Sequence, residues 1–312
     1  MIALLCAAVL LCLAAALLGI AYATFSIVFR SPNKTQNDDF NIPSSDQMAP
    51  LRETVSEMIR ELNAIPFERV GTTSFDGLHL SGRYYPGADG APLAILFHGY
   101  RGTPSRDFSG GSQLYRSEGL RILMIEERAH CTSEGHVITF GVKERLDCLT
   151  WIEWARNRFG DVPILLCGIS MGAATVLMAS GLALPENVRG IIADAPFTSP
   201  KAIITKVLVD RKLPPRLIWP FLWLGARVFG GFDPNAADAA KAVKRSPVPV
   251  LLIHGEDDRF VPCEMGREIA GANPDAVELH TFPDAGHGLS FLIDRPRYER
   301  IARDFIHRTL HP

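Results

Sequence analysis

The stretch 163–174, PILLCGISMGAA, constrains this chain more than any other. An apolar run rich in strand formers stops at Gly168, and a second apolar run, Ala173 to Ala179, has the spacing of a buried helix. Between them sits Ser170, flanked by Gly168 and Gly172 in the pattern G-x-S-x-G. This predicts a strand, a tight turn and a helix, with a hydroxyl at the tip of the turn. Such a turn strains its central residue, so small residues must stand two positions to either side. It also presents the hydroxyl beside a helix N-terminus, where backbone N–H groups stabilise negative charge. Ser170 therefore reads as a candidate nucleophile.

The chain has 312 residues, 47% hydrophobic and 21% charged, enough apolar material for one large domain. A formal net charge of −2 gives no reason to expect a nucleic-acid partner. Six cysteines lie scattered without a CxxC pair or metal-ligand spacing, and they read as reduced thiols. The glycine spacing around Ser170 is neither a phosphate loop nor a dinucleotide fingerprint, so no cofactor and no metal are expected.

From Ile2 to Phe29 no residue is charged. An apolar run of about 28 residues is long enough to cross a bilayer with tilt. Ala21-Tyr22-Ala23 resembles a signal-peptidase site, yet the basic start of a signal peptide is missing and the apolar run is too long. An uncleaved anchor over 1–29 is the favoured expectation. Arg30 and Lys34 follow it, which votes for a cytoplasmic domain, although Asp38 and Asp39 offset them and an extracytoplasmic domain stays open. Residues 30–48 are polar and turn-rich and read as a linker to a domain over 49–312. Leu51, Val55, Met58, Ile59 and Leu62 share one helical face.

Beyond Phe67, a hairpin (69–75 and 78–85) precedes alternating strands and helices. Strands are expected at 93–97, 121–125, 188–193, 248–253 and 277–282 besides the one before Ser170. Helices are expected at about 106–118, 142–158, 264–270 and 296–309. That alternation implies an α/β class with a mainly parallel sheet covered by helices on both faces. It breaks between about 198 and 242, where Leu217–Leu224 is strongly apolar. A small helical cap over the site is the simplest expectation, and an ordinary crossover helix is the alternative.

A serine hydroxyl needs a base, and the base needs an orienting carboxylate. In an open α/β sheet both must come from loops at the C-terminal strand ends. The loop after 248–253 carries Asp257 and Asp258, and the loop after 277–282 carries His287 between two glycines. The order is Ser, Asp, His.

At this point the chain resembles the α/β-hydrolase superfamily, from about Phe67 to the C-terminus, through the motifs FHGYRG, GISMGA, HGEDDRFVP and DAGHG. The similarity extends to membrane-anchored esterase- and lipase-like members of bacterial type. The family's H-G-x-x-D-x-x-V-P pattern, laid on 254–262, selects Asp258 over Asp257. The resemblance also implies that the backbone N–H groups of Tyr100 and Met171 form an oxyanion hole, and that His98 and His254 shape turns. Tyr100, Phe197, Trp219 and Trp223 are candidates for the substrate pocket. Glu126-x-Arg128 resembles the start of the family's D-x-R-G-x-G-x-S loop, with Glu for Asp and with Ala129 and Cys131 in place of glycines.

The function this implies is a membrane-anchored serine hydrolase. Ser170 attacks an ester carbonyl, His287 acts as base, Asp258 orients it, and an acyl-enzyme forms. The substrate is a small or lipid-like ester, with a lipophilic acyl or aryl group. A thioesterase or protein deacylase, and a small serine aminopeptidase, share the same triad. A non-catalytic binding protein on this fold is the alternative of another class.

Overall fold

The computed structural model describes residues 1–31 and 42–310. In chain order the elements are α1 (Ile2–Val28), α2 (Arg52–Asn63), β1 (Glu68–Thr73), β2 (His79–Tyr85), β3 (Leu93–Phe97), α3 (Pro104–Phe108), α4 (Gly111–Ser117), β4 (Arg121–Glu126), α5 (Glu144–Phe159), β5 (Ile164–Ile169), α6 (Met171–Ser180), β6 (Val188–Asp194), α7 (Pro200–Asp210), α8 (Pro215–Val228), α9 (Ala239–Ala242), β7 (Val250–Gly255), α10 (Cys263–Ala272), β8 (Val277–Phe282), α11 (Ser290–Ile293) and α12 (Arg295–Leu310).

The strands form one eight-stranded sheet in the order β1-β2-β4-β3-β5-β6-β7-β8. The β1–β2 and β2–β4 pairs are antiparallel, and the remaining pairs run parallel. Strands β3, β4, β5 and β7 are nearly continuous apolar runs because both of their faces are covered. Ile95, Leu166, Ile191 and Leu252 face the layer that holds Trp151 and Ile152 of α5, the apolar residues of α6 and Ile269 of α10. Leu96, Cys167, Ile192 and Leu251 face the opposite layer, with Tyr115 of α4 and Tyr298, Ala302 and Phe305 of α12. Each fully buried Leu, Ile or Phe contributes about 1.5–3 kcal/mol, so the two layers together supply the main drive to fold. The parallel strands all end on one edge, and the loops there carry Ser170, Asp258 and His287.

The single helix expected over 106–118 is two helices, α3 and α4, broken at Ser109-Gly110. The ring of Phe291 lies against Gly110 where a side chain would otherwise stand. The region 198–242 contains α7, α8 and α9.

Helix α1 has two unlike parts. Residues 1–20 are exposed, whereas Ala21, Phe25 and Phe29 are buried against the domain. Gly225 of α8 permits this approach, because a Cβ there would overlap the Ala21 carbonyl oxygen. Past the helix, Arg30 bridges Val137 and the Ser31 amide donates to the His136 carbonyl at 2.9 Å. The expected linker falls partly on residues 32–41, outside the described residues. Its last part packs on the domain, where Gln47 Nε2 donates to the Asp257 carbonyl and to Asp257 Oδ2, both at 3.0 Å.

Candidate active site

Strand β5 ends at Ile169, Ser170 adopts φ 56° and ψ −114°, and α6 begins at Met171. A positive φ on a non-glycine residue costs about 1–3 kcal/mol and persists only where packing over-determines it. Here the packing comes from two glycines. A Cβ on Gly172 would overlap the Phe97 carbonyl, and one on Gly168 would overlap the Gly172 backbone. The Ser170 amide donates to the Asp194 carbonyl at 2.8 Å, which fixes the turn to the end of β6.

Asp258 stands on the loop after β7. Its Oδ1 accepts the amides of Phe260 (2.9 Å) and Val261 (2.8 Å), and its Oδ2 lies 2.7 Å from His287 Nδ1. Burial alone would raise the carboxyl's pKa. The electrostatic attraction of His287, the hydrogen bonds from His254 and His287 and the Val261 amide outweigh burial and hold it well below the usual carboxylate range. A carboxylate accepts only, so the shared proton belongs on His287 Nδ1, leaving Nε2 free to accept from Ser170 Oγ at 2.9 Å. The Phe260 ring packs edge-on against His287, centroid to centroid 5.1 Å. Asp257 turns away toward Gln47 and Arg259.

Tyr100 lines the cavity beside Ser170, and Met171 follows the serine as the first residue of α6. The Met171 amide opens α6, where an α-helix offers no internal acceptor. The amides around Tyr100 are committed elsewhere: Gly99 N donates to Asp107 Oδ2 (2.7 Å), Arg101 N to His130 Nε2 (3.0 Å) and Gly102 N to the Gly99 carbonyl (3.0 Å). His98 and His130 brace this loop as neutral rings. His98 Nδ1 lies 2.9 Å from the Gly99 carbonyl while its Nε2 accepts from the Glu127 amide, and His130 Nδ1 lies 2.9 Å from the Arg128 carbonyl. Burial pushes their pKa values down to about 4 and about 3. The Tyr100 hydroxyl donates to the Val28 carbonyl at 2.7 Å, and Arg101 Nη2 donates to the carbonyls of Ile27 and Arg30. Neither the brace from His130 nor the contact with the end of α1 was expected from sequence. The departures at Ala129 and Cys131 from the family loop were the available signal, since both adopt positive φ there. In the same loop Arg128 forks between Asp147 and Asp76.

A cavity of about 700 Å³ opens at Ser170 and His287. Of the four expected pocket residues, Tyr100 lines it and the other three do not. Phe197 is buried in the core beside Phe140. Trp219 and Trp223 sit on α8, where Trp219 lies under Lys201 and Trp223 Nε1 donates to Asp233 Oδ1 at 3.2 Å. The reason is that α8 packs against α1 and not over the cavity. The cover comes instead from residues 43–48, from Val55 and Met58 of α2, and from Phe291 and Leu292 of α11.

The chain is an α/β-hydrolase fold protein. Residues 92–218 match the family described as alpha/beta hydrolase fold, and the sheet with its flanking helices agrees. It is similar to the uncharacterized protein YqkD of Bacillus subtilis (strain 168), 22% identical over 195 residues that cover 62% of this chain and 64% of that protein. It is also similar to the lysophosphatidylserine lipase ABHD12 of Xenopus tropicalis, 26% identical over 238 residues, 70% of this chain and 58% of that protein. In both matches the chain spans less than two thirds of the relative's length. Among solved structures, the Pyrococcus furiosus esterase Pf2001 matches with a TM-score of 0.64 at 23% identity, over 80% of this chain and 94% of that one, a likeness of fold. The chain is thus related, at low identity, to lipases and esterases.

Proposed function

We propose that this protein is a serine hydrolase of carboxylic esters, held at a membrane by α1, with Ser170, His287 and Asp258 as its triad. The carrying observation is the continuous relay from Ser170 Oγ to His287 Nε2 (2.9 Å) and from His287 Nδ1 to Asp258 Oδ2 (2.7 Å). His287 takes the hydroxyl proton as Ser170 Oγ attacks the carbonyl, and Asp258 stabilises the imidazolium that forms. The amides of Tyr100 and Met171 receive the developing oxyanion. Collapse of the tetrahedral intermediate, with His287 protonating the leaving alcohol, gives an acyl-enzyme. Water activated by His287 then releases the acid. A lipid-like ester suits the apolar cavity walls and the exposed apolar part of α1, and one relative is named a lysophosphatidylserine lipase.

The test is labelling by a fluorophosphonate probe together with turnover of p-nitrophenyl esters of increasing chain length. Both should be present in the native protein and absent in Ser170→Ala. Labelling that persists in Ser170→Ala would overturn the assignment. Faster turnover of aminoacyl-anilides or acyl thioesters than of any ester would move the reading to those substrates.

A further inference from the structure

Below Ser170 the cavity descends along the sheet face that carries Ile192 and is walled by Ile169, Phe291 and Leu292. One group there does not belong with an aliphatic chain. Asp194, the last residue of β6, lines the cavity at 3% exposure, and its Oδ1 has no hydrogen-bond partner among the described residues. The hydroxyl of Tyr298, another wall residue, hydrogen-bonds to the carboxyl. Asp194 also pairs with Ile169 in the sheet and accepts the Ser170 amide on its carbonyl, so it sits beside the nucleophile's own turn.

Leucine at this position would suit a purely aliphatic chain better and would cost nothing to bury. A buried acceptor left short of donors lowers stability, and such a cost is retained where function uses the group. Burial also pushes the Asp194 acid up, to about 6, against the pull of His254, His287 and the Tyr298 hydroxyl. Its carboxyl stands among the cavity-lining residues, beside the Tyr298 hydroxyl.

We propose that Asp194, backed by Tyr298, is a substrate subsite that accepts a hydrogen bond from a donor carried on the substrate's chain close to the scissile carbonyl, a hydroxyl or an ammonium group. The proposal deepens the ester-hydrolase reading and rests on it for the position of the scissile bond. It makes the preferred substrate a hydroxylated or aminated ester. Such a donor exchanges water for a buried carboxyl acceptor, which rewards the matched substrate and penalises its plain analogue.

The experiment compares Asp194→Asn, which keeps an acceptor for Tyr298 and removes the charge, with Tyr298→Phe and the native protein. Matched esters with and without a hydroxyl, and with and without an amine, are offered in the acyl and in the alcohol part. The native protein should favour the donor-bearing member of one series by about tenfold or more in kcat/KM, and Asp194→Asn should erase that ratio. A larger loss for amines than for hydroxyls assigns the site to cations, and equal losses assign it to neutral donors. In parallel, binding of the corresponding hydroxy, amino and plain acids to Ser170→Ala protein is read by thermal shift. This arm reports on Asp194 even if no ester is turned over, so it separates failure of the subsite from failure of the ester reading. Asp194→Asn should not lower the melting temperature at pH 7.5. Loss of melting temperature with an equal fall on every substrate, or a ratio that Asp194→Asn leaves within about threefold, would make Asp194 a structural strut and overturn the proposal.

Discussion

The hydroxyl of Tyr100 reaches 72 positions back along the chain to the carbonyl of Val28, 2.7 Å away. The backbone of Tyr100 sits at the candidate oxyanion site, and Val28 closes the apolar helix α1. The last turn of α1 thereby braces the loop beside the nucleophile. Arg101 adds two further donors to the same turn, and Phe29 packs edge-on to Phe140, which stacks beside Tyr100.

The first prediction concerns where α1 can be cut. Removing residues 2–20 takes away only exposed residues, so the melting temperature and the turnover of a soluble ester in detergent should stay close to native. Removing residues 2–31 uncovers the surface that held Phe25 and Phe29, at about 1.5–3 kcal/mol per ring. It should lower stability by several kcal/mol and reduce kcat. Tyr100→Phe should cost about 1 kcal/mol with a several-fold drop in kcat. Thermal denaturation and probe-labelling rates measure both.

The adjacent acids should behave differently. Asp258→Asn removes the acceptor that fixes the His287 tautomer and should lower kcat by about ten-thousandfold. Asp257→Asn touches Gln47 and Arg259 at the surface and should stay within about threefold. Steady-state kinetics on a p-nitrophenyl ester separates the two, and a reversed order would refute the assignment of the acid.

Gly172 should tolerate no side chain. In Gly172→Ala the new methyl meets the Phe97 carbonyl, a fixed backbone atom of the central sheet. The variant should lose more than about 4 kcal/mol or fail to fold. Gly271, with open space around its Cβ position, is the control, and Gly271→Ala in α10 should be neutral or stabilising. Urea denaturation compares them.

The two buried imidazoles carry a signed pH dependence. His98 is lowered from 6.5 to about 4 and His130 from 6.5 to about 3. As pH falls below 6.5 the unfolded chain takes up protons that the folded rings refuse, so each ring's contribution favours unfolding increasingly down to its folded pKa. Asp147 and Asp194, both raised to about 6, run the opposite way, destabilising the fold as pH rises from 3.8. The net slope therefore mixes signs, and the difference between native protein and His98→Asn isolates one ring. Between pH 6 and 5 that difference should change by about 1 kcal/mol, native protein losing more as pH falls. An unchanged difference would show that His98 is charged in the folded state.

Much of the fold and of the candidate relay could be read from local pattern. Continuous apolar strands signal a doubly covered parallel sheet, and the glycines around Ser170 signal a turn that admits nothing larger. Asp258 and His287 were recognisable because each follows a strand on the reactive edge. The walls of the cavity were not recognisable, because they depend on which distant faces meet. Trp219 and Trp223 looked like a lid from their apolarity, yet the apolar face of α8 is met by α1 through Gly225. Gln47, in a polar turn-rich stretch, reaches across the site to Asp257. Asp194 looked like an ordinary strand end, and only its burial without a full set of partners marks it.

On the proposal that α1 is an anchor, the split character of that helix would set the posture of the whole protein. Its exposed residues 2–20, at 1.5 Å each, reach about 28 Å, close to the thickness of a bilayer's hydrocarbon core. The same unbroken helix then enters the domain's core, with no swivel between. On the proposed anchoring, the domain would not tumble on a leash above the lipid. It would stand as a post whose height and tilt are those of one helix, and the mouth beside Tyr100 would keep a constant bearing toward the membrane surface.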